Sequence, residues 1–127
     1  MDYLAEFGRR GFEGTESLPT LGLVEFSSDL FPGDATELGL EVYAPDRTVL
    51  EQRVQPVLED ALAQLDSLAG GLGDLDADLT KVVLWGERLG LHFWSRGTNN
   101  EFTAVFVRDP LWRFIGYGDV LDGPGPV

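Results

Sequence analysis

Residues 38–69 read LGLEVYAPDRTVLEQRVQPVLEDALAQLDSLA, and this stretch decides the fold. Its first seven residues alternate. Leu38, Leu40 and Val42 point one way and Gly39, Glu41 and Tyr43 the other, which is the period of a half-buried strand. Pro45-Asp46 stops that strand. Thr48 and Glu51 then fit a capping box at the start of a helix. Apolar residues follow at Leu50, Val54, Val57, Leu58, Ala61, Leu62, Leu65, Leu68 and Ala69, a continuous stripe at 3–4 spacing. Pro56 lies inside the stripe and lacks a backbone donor, so the spacing predicts one kinked helix or two abutting ones. Gly70-Gly71 is expected to end it as a C-cap. The opposite face carries Glu51, Glu59, Asp60 and Asp66 against Arg53 alone.

Working outward, residues 21–27 (LGLVEFS) predict a strand before this unit. A loop at 28–37 with Pro32-Gly33 as its turn signal makes the two strands an antiparallel pair. In residues 1–19 the apolar Tyr3, Leu4 and Phe7 fit a short helix or a strand within a Gly-rich, mixed stretch, and 119–127 is Gly- and Pro-rich, so both ends are expected to be largely irregular. After the helix, GGLGDLDAD (70–78) reads as an acidic loop. Four strands are then predicted at 79–85, 89–95, 101–107 and 111–117, with turns at Glu87-Arg88, at RGTNN (96–100) and at Asp109-Pro110. No repeat or linker divides the chain, so residues 1–127 are expected to be one domain. The fold class is α+β: an antiparallel sheet of two N-terminal strands plus a four-strand C-terminal meander, packed on one long helix kinked at Pro56.

Composition sets the functional bounds. The chain has 127 residues, 22 acidic and 9 basic side chains, a net charge of −13 and no Cys. Its 43% hydrophobic content excludes an intrinsically disordered chain. The charge argues against nucleic acid or an anionic membrane as partner, because phosphate contact needs Lys and Arg clusters. Without Cys there is no disulfide framework, thiolate nucleophile or Cys-ligated zinc. No basic and apolar signal opens the chain and no apolar run is long enough to span a bilayer, so a cytoplasmic protein is expected.

The charge is unevenly placed. Residues 1–46 hold ten acids and two bases, residues 47–78 seven acids and two bases, and residues 79–127 five of each. The whole excess therefore lies before Leu79.

Catalytic chemistry finds little support, and the chain reads as a non-enzyme. His92 is the only His and sits mid-strand, where a structural or surface role outweighs a catalytic one. Ser95 is on the other face of that strand. No G-x-S-x-G elbow, Walker A or dinucleotide fingerprint is present. Asp74, Asp76 and Asp78 open like an EF-hand, but Leu79 stands where Gly is needed and Trp85 where Glu is needed. No metal and no cofactor is expected. The aromatics gather at 85–117 and read mostly as core. Trp94 and Trp112 fall opposite the more apolar face of their strands and are candidates for exposure.

The segment LGLEVYAPDRTVLEQRVQPVLEDALAQLDSLAGG, followed by a meander closing in RFIGYG, resembles the small acidic immunity proteins of bacterial polymorphic-toxin systems. The likeness lies in element order and a few residue types across about residues 20–118. It implies a protein that neutralises a toxin domain by presenting carboxylates to its basic cleft. Complementary charge would also speed that encounter. The partner-binding residues expected on this reading are Glu59, Asp60, Asp66, Asp74, Asp76 and Asp78 of the helix and acidic loop. Asp29, Phe31, Asp34 and Glu37 of the 28–37 loop form a second group, in which Phe31 is either an apolar anchor or tucked back into the core. The partner is a protein, and the chain itself is expected to be a monomer or weak homodimer. Two other readings stand beside it: a structural or assembly module of phage or secretion-system type, and an acid-only or metal-dependent hydrolase.

Overall fold

The computed structural model describes residues 2–120. They form one seven-stranded sheet in sequential order, β1 (Gly14–Leu18), β2 (Leu23–Leu30), β3 (Leu38–Ala44), β4 (Ala77–Trp85), β5 (Arg88–Ser95), β6 (Asn100–Arg108) and β7 (Trp112–Tyr117). Helices are α1 (Tyr3–Arg10), α2 (Arg47–Val49), α3 (Gln55–Ala63) and α4 (Leu65–Gly70), with a π-helical stretch at Leu50–Val54 between α2 and α3. The α+β class and the β4–β7 meander agree with the sequence reading. None of the helices is long and apolar enough to cross a membrane.

The sheet is mixed instead of wholly antiparallel. β3 and β4 pair in parallel, with Leu40 beside Val82 and Val42 beside Leu84. Every other neighbouring pair is antiparallel. A parallel pair cannot be joined by a tight turn, so the helical segment from 47 to 70 is the crossover that carries the chain back. Its stripe packs on the sheet. Leu50, Leu58, Ala61, Leu62 and Leu65 share one core with Leu38, Leu40, Val42, Val82, Leu84, Leu89 and Leu91.

The crossover is segmented; its C-cap falls at Gly71 as the sequence reading put it, but its N-cap does not fall at Thr48. Asp46, in an extended conformation, caps the start, its carboxylate accepting from the Val49 N–H at 2.8 Å. An Asp at this position supplies the acceptor for which the capping box relied on Thr48. The wider π turns precede Pro56, which falls at the start of α3, where its missing N–H breaks no ladder. The helix interrupts again at Gln64. At the far end Gly71 stays right-handed (φ −67°) and forms no left-handed cap.

Residues 2–19 carry more regular structure than expected, and of the two readings of Tyr3, Leu4 and Phe7 the helix is the one formed. Asp2 accepts from the Ala5 N–H at 3.0 Å and starts α1, and Arg9 and Arg10 close its last turn, so both ends complement the helix dipole. Phe7 drops into the core beside Phe12 and Phe26. β1 then pairs with β2 as an edge strand. β2 runs through Leu30, so Asp29 is a strand residue and the loop is only 31–37. Trp112 is buried in the main core, not exposed, whereas Trp94 is exposed as expected.

Both helical layers lie on one face of the sheet. On the other face, Tyr43, Val83 and Val120 form a second, smaller cluster edged by Leu18, Leu23 and Trp85. Val120 is 1% exposed because the chain folds back after β7, with the Gly118 N–H donating to the Thr103 carbonyl at 3.0 Å. Of the tail expected to be irregular, Asp119 and Val120 carry no strand or helix, and residues 121–127 lie outside the described residues. Gly90 makes room for Val120: a Cβ there would stand 3.3 Å from the Val120 Cβ and 3.2 Å from the Thr103 Cγ2. Already at the Cβ both contacts are tight, so a β-branched side chain must displace a neighbour. Gly90→Val is therefore expected to destabilise the protein by about 1–3 kcal/mol through overpacking. An unchanged midpoint in urea unfolding would contradict this seating of Val120.

Candidate functional site

The topology brings two acidic segments together. The 31–37 loop joins β2 to β3, and because β4 runs parallel to β3, the 71–76 loop enters the sheet at the same end. The β5–β6 turn is also there, since Ala77 pairs with Ser95. Asp29, Asp34, Glu37, Asp74, Asp76 and Asp78 thus share one end of the sheet, and all six are exposed. Glu101 at the start of β6 joins them; sequence reasoning missed it, although its place just after a Gly/Asn turn marks it as a strand-end residue.

Phe31 connects this end to the helices. Its backbone takes a left-handed conformation (φ 53°), uncommon for a non-Gly residue. The Glu6 carboxylate holds it, accepting from the Phe31 N–H at 2.9 Å. Glu6 is itself buried and paired with Arg9; that pairing holds its carboxyl below the usual range against the opposing effect of burial. The Phe31 ring packs edge-on against Tyr3 at 6.1 Å and is partly buried against the core. Phe31 is therefore half-buried, the second of the two placements expected for it. Burial raises the Tyr3 hydroxyl, with the negative charge of Asp66 on α4 adding to it.

Not every candidate is free to meet a partner. Arg96 from the β5–β6 turn bridges Asp76 and Asp78, its Nε donating to Asp78 Oδ2 at 3.1 Å and its Nη1 to Asp76 Oδ1 at 3.4 Å. The hydrogen bond from Arg96 holds the Asp78 carboxyl below its ordinary value. By contrast, Asp29, Asp34, Glu37 and Asp74 face no cation within ion-pair distance among the described residues.

Glu59 and Asp60 stand apart from this group. Glu59 accepts from Gln55 Nε2 at 3.4 Å on α3. Asp60 looks toward the opposite end of the sheet, where it accepts from Trp112 Nε1 at 3.1 Å and from Gln64 Nε2 at 2.8 Å. Arg108 Nε lies 3.2 Å from the same carboxylate. This one side chain fixes Trp112 under α3, which explains why Trp112 is core. Sequence alone could not pair Asp60 with Trp112, because the rest of the crossover and three strands separate them along the chain.

The helix-free face carries a second polar group. Lys81 Nζ donates to Glu41 Oε1 at 3.0 Å, and the Tyr43 hydroxyl donates to Glu41 Oε2 at 3.2 Å. His92 Nδ1 and Thr103 Oγ1 are hydrogen-bonded at 3.0 Å across the β5–β6 pair. Burial raises the Tyr43 phenol well above its ordinary value, and Glu41 and Glu25 push the same way. Burial, and then the positive charge of Lys81, lower the His92 imidazole. Ser95 lies on the opposite side of its strand, so His92 has a hydroxyl partner but no nucleophile and orienting acid arranged around it. Among the described residues, no three His, Asp or Glu side chains converge in a way that could hold a metal ion. Asp74, Asp76 and Asp78 form no such cage; two of them are spent on Arg96.

Compared with protein-family models, curated proteins and solved structures, the chain matches none. The functional reading therefore rests on this geometry.

Two outcomes are expected here. Asp60→Ala leaves the Trp112 indole N–H without its acceptor and Arg108 without its paired carboxylate, and should cost about 1–3 kcal/mol in denaturant unfolding; no loss would mean that Asp60 is a surface acid after all. For His92 the folded protein binds a proton less readily than the unfolded chain, so below the ordinary His range the unfolded state gains the extra proton and stability falls as pH falls. The stability of the wild type relative to His92→Asn should therefore decrease as the pH is lowered from about 7.5 to about 5, an interval that brackets the ordinary His value. A constant difference across that interval would refute the burial of the imidazole.

Proposed function

We propose that this chain is a non-catalytic binding protein of the immunity type, which occludes a basic cleft of a cognate toxin domain with the acidic end of its sheet. The observation that carries the proposal is the convergence of the 31–37 and 71–76 loops. It sets carboxylates from distant parts of the sequence side by side, and among the described residues Asp29, Asp34, Glu37 and Asp74 have no cation of their own. Carboxylates without an internal cation are available to a partner's Arg and Lys. They keep the potential that steers a basic protein toward this end. The rigid sheet and the Glu6–Phe31 contact hold the loops in one arrangement, which reduces the ordering cost of binding.

An assembly-module role is favoured by a different observation, the exposed aromatic edge at β7 (Phe114, Ile115 and Tyr117). The two are compatible, because that edge flanks the sheet whereas the acidic loops cap one end.

The test uses the immobilised chain and extracts of its native host. A basic protein should be retained, released by added salt, and inhibited in its own activity by the chain. The Asp34→Asn, Glu37→Gln, Asp74→Asn triple variant should bind it at least about tenfold more weakly, mostly through slower association, since unpaired rim charges act chiefly on the on-rate. Equal retention by both forms would rule out the acidic end as the contact surface.

A further inference from the structure

Among the described residues, four of the six exposed large apolar side chains gather in one place, and only Leu21 and Trp94 lie elsewhere. Phe114 (41% exposed), Ile115 (48%) and Tyr117 (56%) all belong to β7, and Leu111 just before it is 74% exposed. Beside them lies a cavity of about 280 Å³, lined by Leu68, Leu72, Phe106, Phe114 and Tyr117 among others. It opens where the α4 end stops short of the last strand. Contiguous apolar surface of this kind, next to an unfilled hollow, marks an interaction site.

Four observations identify the occupant. The two edges of the sheet differ in chemistry. β1 exposes Thr15, Glu16 and Ser17, whereas β7 is apolar, so end-to-end growth of β7 on β1 would set Glu16 against aromatic rings. Association of β7 with β7 has no such conflict and closes after two copies.

Local charge also permits a second copy. The chain as a whole carries −13, but its 79–127 segment is neutral, and β7 itself bears one charge, Arg113. The nearby Arg108 is balanced by Asp60.

The patch is reciprocal as well. Protruding side chains and hollow sit side by side, so a two-fold axis at β7 presents the Phe114–Ile115 ridge of each copy to the hollow of the other.

Finally, Ile115 is an extra residue. The register passes from Phe106–Phe114 to Val105–Gly116, leaving Ile115 without a partner in β6, and Gly116 at φ 136° accommodates the bulge. A bulged edge is poorly suited to long ladder pairing. The contact is therefore carried by side chains, over a strand about 20 Å long, and is smaller than the roughly 800 Å² per partner of a standard interface.

We propose that two copies of this chain form a weak, two-fold symmetric dimer through β7, burying Phe114, Ile115 and Tyr117 against the hollow beside α4 and leaving both acidic ends open. The dimer does not depend on the immunity-type reading.

Sedimentation velocity of the full chain from micromolar to millimolar concentration tests it. The expected result is a concentration-dependent rise toward twice the chain mass, with added salt strengthening association because it screens the repulsion between two acidic chains. Ile115→Glu should raise the dissociation constant at least about tenfold at an unchanged unfolding midpoint, since position 115 is at the surface, while Thr15→Glu on the opposite edge should not. The chain has no Cys of its own. Ile115→Cys should therefore cross-link to itself under oxidation faster than Thr15→Cys. A monomer over the whole range, a dimer indifferent to Ile115→Glu, or a dimer dissolved by salt would each overturn the proposal; the last would move the contact to the charged end.

Discussion

The parallel pairing of β3 with β4 is the constraint from which the rest of the structure follows. Parallel neighbours need a long crossover, and here the crossover is the segment from Arg47 to Gly70. Its stripe can cover only one face of the sheet, so the molecule has a helix-packed side and a side left to Tyr43, Val83, Val120 and a polar row. The crossover also returns the chain to the end it left, the start of β3. That return is what sets the 71–76 loop beside the 31–37 loop, and so creates the acidic end. Had β4 been antiparallel to β3, the two acidic segments would have been separated by the length of a strand.

The same constraint sets the limits of the helical layer. α3 and α4 are short and lie over the middle of the sheet, with Asp60 reaching out to Trp112 and Arg108 as the last tie toward β7. Beyond that tie the strand is uncovered on the helix side, and Phe102, Phe114 and Tyr117 pack on one another edge to face. On the far face the sheet is covered differently. Chain folding back after β7 places Val120 over Gly90, where the missing side chain leaves a seat for it. Each face is thus closed by the nearest available segment, and the helix-side margin of β7 is what neither segment reaches.

The parts of this arrangement that depend on neighbouring residues were legible in the sequence. The alternation at 38–44, the 3–4 stripe at 50–69 and the turn signals of the meander put the strands and the crossover helix nearly where they stand. The direction of β4 was not legible, because a half-covered sheet produces the same in–out alternation whether its strands are parallel or antiparallel. The N-terminal helix was obscured by Gly8 and Gly11. Its stability comes from Phe7 in the core, a tertiary effect that local propensity does not report. Trp112 was misplaced for a similar reason: the partner that draws it inward, Asp60, lies on the crossover, far away along the chain.

The candidate site divides along the same line. Net charge located the acids before Leu79, but only the fold separates those with partners from those without. Asp76 and Asp78 are paired with Arg96, and Asp60 with Arg108, so their charge is offset within the molecule. Asp29, Asp34, Glu37 and Asp74 are what remains for an outside cation. The net charge of −13 already counts each internal pair as neutral, so pairing does not lessen it. What pairing changes is which carboxylates face solvent without a cation of their own, and these four stand where β2 turns into β3 and α4 turns into β4.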